Sequence, residues 1–311
     1  MDVVATFEIR LLASTLILIP AIIGLGLHFL LAFTLFRNWK TFHTVSFYVI
    51  TVQTQWCDIC ALLLDLYVAF PLTLTGVQYM GDSIALYYGP LFFEGIAFNG
   101  LFLLSFFLSL NRFLLFIFPH MHNRLFTYWG TRIMSLILWI LVFLFIGFSN
   151  YFGCRKQFSK DDFYFWYNCS TQVPGEFHYS DFMHIVSNVV PLTMIVMYVI
   201  VFLKIRYLAT SHRVVSRESS RAKQEIRYLM QTVLISLLIV VEVVAFFTVP
   251  FLGITGYGQF YLNILLNLII MSNNLVTPIV IFAFNPEIRR RLFTVVPNQK
   301  PITVAIVSRL F

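Results

Sequence analysis

Long apolar runs broken by short polar clusters set the pattern of this chain. A helix needs roughly 20 mostly apolar residues to cross ~30 Å of hydrocarbon. Seven stretches qualify, about Leu11 to Phe36, Val45 to Phe70, Leu86 to Phe118, Ile133 to Phe152, Phe182 to Leu208, Tyr228 to Leu252 and Gln259 to Phe284. Backbone in lipid must hydrogen-bond to itself, so the pattern predicts an all-α membrane protein, a bundle of seven transmembrane helices. The first run follows acidic Asp2 and Glu8 and exceeds the usual core of a cleaved leader, so it is expected to be retained.

The polar residues inside those runs are the next signal. Asp58, Asp65, Glu94, Arg112 and Glu242 sit in or at the ends of apolar segments. Each costs at least ~2.5–3.5 kcal/mol at a helix centre, so each is expected to face the bundle interior, as a functional group or as glue between helices. Glu94 and Arg112 are 18 residues apart, which is five helical turns and about 27 Å along one face. One helix thus carries an acid near one end and a base at the other. Pro191, Pro250 and Pro278 fall in segments 5, 6 and 7, where each removes a backbone donor and predicts a kink or a hinge.

Composition agrees with the bilayer as solvent: 59% of residues are hydrophobic, 18% aromatic and only 11% charged. A water-soluble domain has no use for so much apolar surface. Of the 21 Lys and Arg residues, all but Arg10, Arg155, Lys156 and Lys160 fall on the side that this bias makes cytoplasmic, with the N-terminus outside and the C-terminus inside. The net charge of +7 therefore reads as attraction to anionic lipid and to an acidic cytosolic partner, not to nucleic acid, for which no motif appears. Asn168-Cys169-Ser170 is a glycosylation acceptor at Asn168, in a loop that the charge pattern independently places outside. Cys154 and Cys169 share that loop, where a disulfide is favoured over two free thiols. Cys57 and Cys60 stack on one face of segment 2, and no further ligand completes a metal site. His120 and His122 are expected to be solvated, and no cofactor loop or nucleophile motif supports catalysis.

With "SLNRFLLFIFP" closing segment 3 and "NNLVTPIVIFAFNPEIRRRLF" closing segment 7, the chain resembles the seven-helix G-protein-coupled receptors, and in detail the nematode serpentine chemoreceptors of class x. The likeness spans roughly Ile9 to Val296. Class x has Asn-Arg-Phe where rhodopsin-like receptors have Asp-Arg-Tyr, and Trp139 and Asp58 stand at the expected offsets from Arg112. The resemblance implies a rhodopsin-like bundle over residues 1–296 with a short amphipathic cytoplasmic helix after segment 7, and a short tail over 297–311. It also implies a plasma-membrane location, in sensory cilia for many such receptors, a small extracellular ligand and a heterotrimeric G protein as partner. Asn111, Arg112 and Phe113 become the coupling site, and Asn111 is expected to restrain the guanidinium by a neutral hydrogen bond weaker than a charged one.

The departures from that family are specific. Thr277 stands for the usual asparagine and Ile281 for the usual tyrosine, while Thr248 replaces an aromatic toggle near Pro250. Thr277 and Pro278 of segment 7, with Pro191 of segment 5 and Pro250 of segment 6, are the switch and helix-kink positions. No cysteine tops segment 3, so Cys154 to Cys169 is the substitute bridge. Asp58, Asn273 and Asn274 form an intramembrane polar core, but Leu101 is apolar where serine is common, so a sodium site is not expected. No lysine lies in segment 7, which excludes a retinal Schiff base. Ligand candidates at outer depth are Glu94, Asn99, Tyr67, His184, Asn188 and Asn263. Beyond segment 7, Asn285 is a plausible N-cap, with Ile288, Leu292 and Phe293 expected on lipid. The competing readings are a transporter or channel, which would show repeats or rings of charge, and a partner receptor that does not signal.

Overall fold

The computed structural model describes residues 4–169, 179–210 and 219–293. Seven long apolar helices are present, one for each predicted run: α1 Phe7–Arg37, α2 Ser46–Thr75, α3 Ile84–Ile117, α4 Tyr128–Tyr151, α5 Tyr179–Thr210, α6 Ser219–Thr248 and α7 Tyr257–Phe284. A short helix after the seventh long one, α8, covers Pro286–Phe293. The tail over 297–311 lies outside the described residues.

Local chemistry sets the helix ends. The Thr127 hydroxyl accepts from the Gly130 N–H to start α4, and the Ser83 hydroxyl accepts from the Leu86 N–H to start α3. Gly76 at φ 68° closes α2 in the left-handed conformation that glycine adopts without steric cost. Near that end α2 passes through a wide π-helical turn, Asp65–Ala69, which changes the phase of the residues beyond it.

Lipid and core divide along the helices. Three-quarters of the apolar stretch of α3 (72%) is buried against about a fifth of that of α4 (22%), so α3 is the central post and α4 a peripheral stave. Ile133, Leu136, Ile137, Ile140 and Leu141 face outward from α4. Where α4 touches α3, Gly100 lets the helices close: a Cβ there would stand 3.0 Å from the Trp139 ring and 3.1 Å from Cys57 Sγ. Small residues at such crossings let backbones approach, and packing then supplies the attraction that lipid removes. Trp139 is fixed by a 2.8 Å hydrogen bond from its indole N–H to Gln53 of α2.

Two expectations change here. Pro250 does not kink the interior of a long helix. α6 ends at Thr248 and a single 3₁₀ turn, Val249–Leu252, carries the proline, because Pro lacks a donor and disfavours α geometry in the residue before it. Pro191 and Pro278 do lie within α5 and α7. On α8, Ile288 is fully buried in the main core and not on lipid, because Asn285 caps the Ile288 N–H and turns the helix back under the bundle. Arg291, paired with Glu287 of the same helix at 3.0 Å, completes that docking through Asn38 at 3.3 Å and the Phe42 ring.

Between α4 and α5 the chain forms a two-stranded antiparallel hairpin, β1 Arg155–Ser159 and β2 Tyr164–Asn168, lying across one end of the bundle. The Cys154–Cys169 disulfide closes its root, as the sequence favoured. Asn168 ends β2 with its amide 3.4 Å from Gln157, while Ser170 of the acceptor motif lies outside the described residues.

Candidate functional site

The bundle has two polar ends and a polar middle. At the end carrying Arg112, α3 delivers the guanidinium into an aromatic slot. Its Cζ lies 5.2 Å from the Phe47 ring of α2 and 5.4 Å from the Tyr228 ring of α6, and those rings stack on each other at 4.9 Å. Arg112 is only 3% exposed, so these faces attract it where little water competes. The Tyr228 hydroxyl then meets that of Tyr48 at 3.1 Å, and Asn285, at the foot of α7, donates to Tyr48 at 2.8 Å. Arg112 thereby joins α3 to α2 and α6, and the Tyr48 hydroxyl extends the join to α7. One layer inward, the Ser109, Tyr198 and Ser236 hydroxyls connect α3, α5 and α6 at 2.6–3.3 Å. Phe113 is half-buried beside this layer, against Phe118.

Asn111 does not restrain the guanidinium. Its amide nitrogen sits 3.2 Å from Ser46 and 3.1 Å from His122 Nε2, and its oxygen finds no hydrogen-bond partner among the described residues. Adjacent helix residues diverge by about 100°, so neighbours in sequence do not face each other. His122, in turn, is not a solvated histidine. Its ring stacks on Phe126, and burial, with Arg112 nearby adding to it, lowers its pKa to about 4. No sequence signal separated it from the exposed His120; only the fold of the short helix Pro119–Leu125 against α3 does so.

In the middle, Asp58, Asn273 and Asn274 are all buried, and so is Thr277. They are joined by two residues that the sequence reading did not include in the core. His28 of α1 donates from Nε2 to the Asn274 carbonyl at 2.8 Å and lies 3.8 Å from Asp58. Glu242 of α6 accepts from the Asn273 amide at 2.6 Å. His28 was legible only as one polar residue in an otherwise apolar run.

At the hairpin end the surprise is Lys156. β1 carries it inward, 8% exposed, into an ion pair with Glu94. Its ammonium lies 4.7 Å from the Phe98 ring and 5.5 to 5.6 Å from those of Tyr167 and Phe165. The hydroxyl of Tyr167 receives the Asn99 amide at 3.2 Å. Burial, with Glu94 beside it, pushes the Tyr167 phenol well above its ordinary pKa. Asp65 and Glu242 are near enough to interact electrostatically with the pair. Glu94 and Asn99 are thus brought together.

The other ligand candidates are dispersed. Tyr67 is exposed, with its hydroxyl on the Leu86 carbonyl, since Asp65 two residues earlier faces inward and a two-residue step on a helix reverses direction. Asn188 is exposed on α5, off the buried stripe of Pro191, Met194, Met197 and Val201. Asn263 is buried on α7 with its amide nitrogen unpaired among the described residues, and the side chain of His184 lies outside them.

The hairpin tip is anchored separately. Phe163, in left-handed geometry at φ 65°, is wholly buried between α1 and α7, packed on Ile9, Ala13, Phe260 and Ile264. Arg10 holds the same tip through the Lys160 carbonyl at 2.9 Å and Asp161 at 3.2 Å, and Asn267 donates to the Phe163 carbonyl.

No curated protein matches this chain. Its residues 18–285 match the family described as serpentine type 7TM GPCR chemoreceptor Srx, which is most of the sequence and all seven long helices in whole or part. With seven apolar helices, a disulfide-closed hairpin and an Asn-Arg-Phe triplet at one end, the chain belongs to that chemoreceptor family.

Proposed function

We propose that this protein is a chemosensory receptor whose hairpin end faces outside and whose Arg112 end faces the cytosol. A small molecule entering beneath the hairpin shifts a pre-existing equilibrium, and the Arg112 end then opens to a heterotrimeric G protein. The observation that carries this reading is the slot holding Arg112: one buried cation spans α2, α3 and α6 through Phe47 and Tyr228. Outward movement of the foot of α6 carries Tyr228 away and bares a guanidinium, which is the group suited to meet carbonyls or a carboxylate of an incoming partner. The lysine and arginine bias along the chain supports the orientation, and it places the acceptor Asn168 on the outer face.

The test sets nucleotide exchange on a heterotrimeric G protein against ion current and solute uptake, all in membranes holding the receptor. Ligand-dependent exchange that Arg112→Ala abolishes at equal surface abundance is expected. Current or uptake without any exchange overturns the reading.

A further inference from the structure

From the Glu94 cluster we infer that Lys156 is a tethered occupant of a cation site, and that the ligand is a small organic ammonium that must displace it. This rests on the reading that the ligand enters at the hairpin end. The lysine belongs to the hairpin outside the helices, yet its ammonium sits in a built recess: one carboxylate, Glu94, and three aromatic faces, Phe98, Phe165 and Tyr167. That set of partners is what recognises alkylammonium groups, with a counter-charge for strength and ring faces for the desolvated cation. Lys156 is supplied by β1, whereas Glu94 and Phe98 belong to α3 and Phe165 and Tyr167 to the paired strand β2.

The sign of the ligand follows from the surroundings. Besides Lys156 and the Tyr167 phenol, the titratable groups that interact with this site are the carboxyls of Glu94, Asp65 and Glu242, all buried, and no second base is among them in the described residues. An anion drawn to Lys156 would meet those acids, whereas a cation replacing the lysine keeps every favourable partner. The hairpin carries both the occupant and two of the ring faces, so exchange of one ammonium for another needs the Lys156 side chain to leave while β2 keeps Phe165 and Tyr167 in place.

The experiment uses the full-length receptor in lipid nanodiscs and reads binding without any G protein. Failure of coupling therefore leaves this inference standing, and failure here leaves coupling untouched. Lys156→Ala removes the stem and the ammonium, leaving space matched by n-propylammonium. The expected result is a saturable rise in the unfolding midpoint of Lys156→Ala with n-propylammonium chloride, absent with 1-propanol or sodium propionate and absent in Glu94→Gln/Lys156→Ala. Affinity for the probe should exceed that of the wild type by roughly 100-fold, the low end of what tethering contributes.

A midpoint equally indifferent to all three solutes, or one raised by propionate, overturns the inference. If Lys156→Ala does not fold, the wild type decides. Its Lys156 is expected to resist reductive methylation until tetramethylammonium, which has no N–H to consume the reagent, is added in excess. A lysine that stays protected at every concentration overturns the inference.

Discussion

Tyr228→Leu at the foot of α6 isolates the slot around Arg112. The substitution removes one of the two ring faces against the guanidinium, the stack on Phe47 and the hydroxyl contact with Tyr48. A desolvated cation–π contact is worth ~2 kcal/mol and a net hydrogen bond ~1 kcal/mol. Leucine restores part of the packing in both states, so the resting arrangement should lose about 2 kcal/mol relative to the open one. At ~1.4 kcal/mol per tenfold, that moves the equilibrium by about 30-fold. If ~1% of receptors are open without ligand, roughly a quarter would then be open. Tyr228→Phe deletes the hydroxyl alone and should move the balance about fivefold. The assay is ligand-free nucleotide exchange on added G protein, normalised to receptor at the surface. A Leu variant present at normal abundance, with exchange at or below wild type, refutes the claim that this contact holds the bundle shut.

Three further outcomes follow from other parts of the molecule. Cys154→Ser opens a loop of 15 residues, and loop closure of that length is worth ~3 kcal/mol, so the thermal midpoint should fall and reduction of the wild type should reproduce the drop. His122 is kept neutral by burial and by Arg112, so the stability it contributes is whole above its unfolded pKa of ~6.5 and is lost as pH falls towards about 4. Unfolding midpoints measured across that range should decline less steeply for His122→Asn than for wild type. Gly100→Ala places a methyl 3.0 Å from Trp139, and overpacking of this kind costs ~1–3 kcal/mol, which a denaturation midpoint followed by tryptophan fluorescence would register.

The number and placement of the helices were legible because lipid imposes a composition that soluble helices do not share. Their ends were less so. The apolar stretch of segment 6 starts at Tyr228, yet the basic run before it, with Glu218 and Glu225 near arginines, already suggests that the helix continues outward, and it begins at Ser219. Segment 2 was cut at Phe70, yet Pro71 sits near the start of a final turn that runs to Thr75, a position where a missing N–H can be tolerated. The interior acids were found from their cost in hydrocarbon. Their partners were not, since Lys156 comes from the hairpin and His28 from another helix, and a single sequence does not state which distant segments meet. Asn111 misled in a different way: the resemblance implied a contact with Arg112, but in this bundle its amide turns to Ser46 and His122 instead.

The hairpin reaches across the bundle from the disulfide root at α4, through Lys156 on α3, to Phe163 wedged between α1 and α7. Anchored at those points, it acts as a girdle around one rim. Staves bound at a rim cannot slide independently there, so displacement begun beneath the girdle is passed along the helices to the opposite rim, where the Arg112 contacts take the strain. Loosening any one anchor should therefore blunt transmission along the barrel even where the recess itself is left intact.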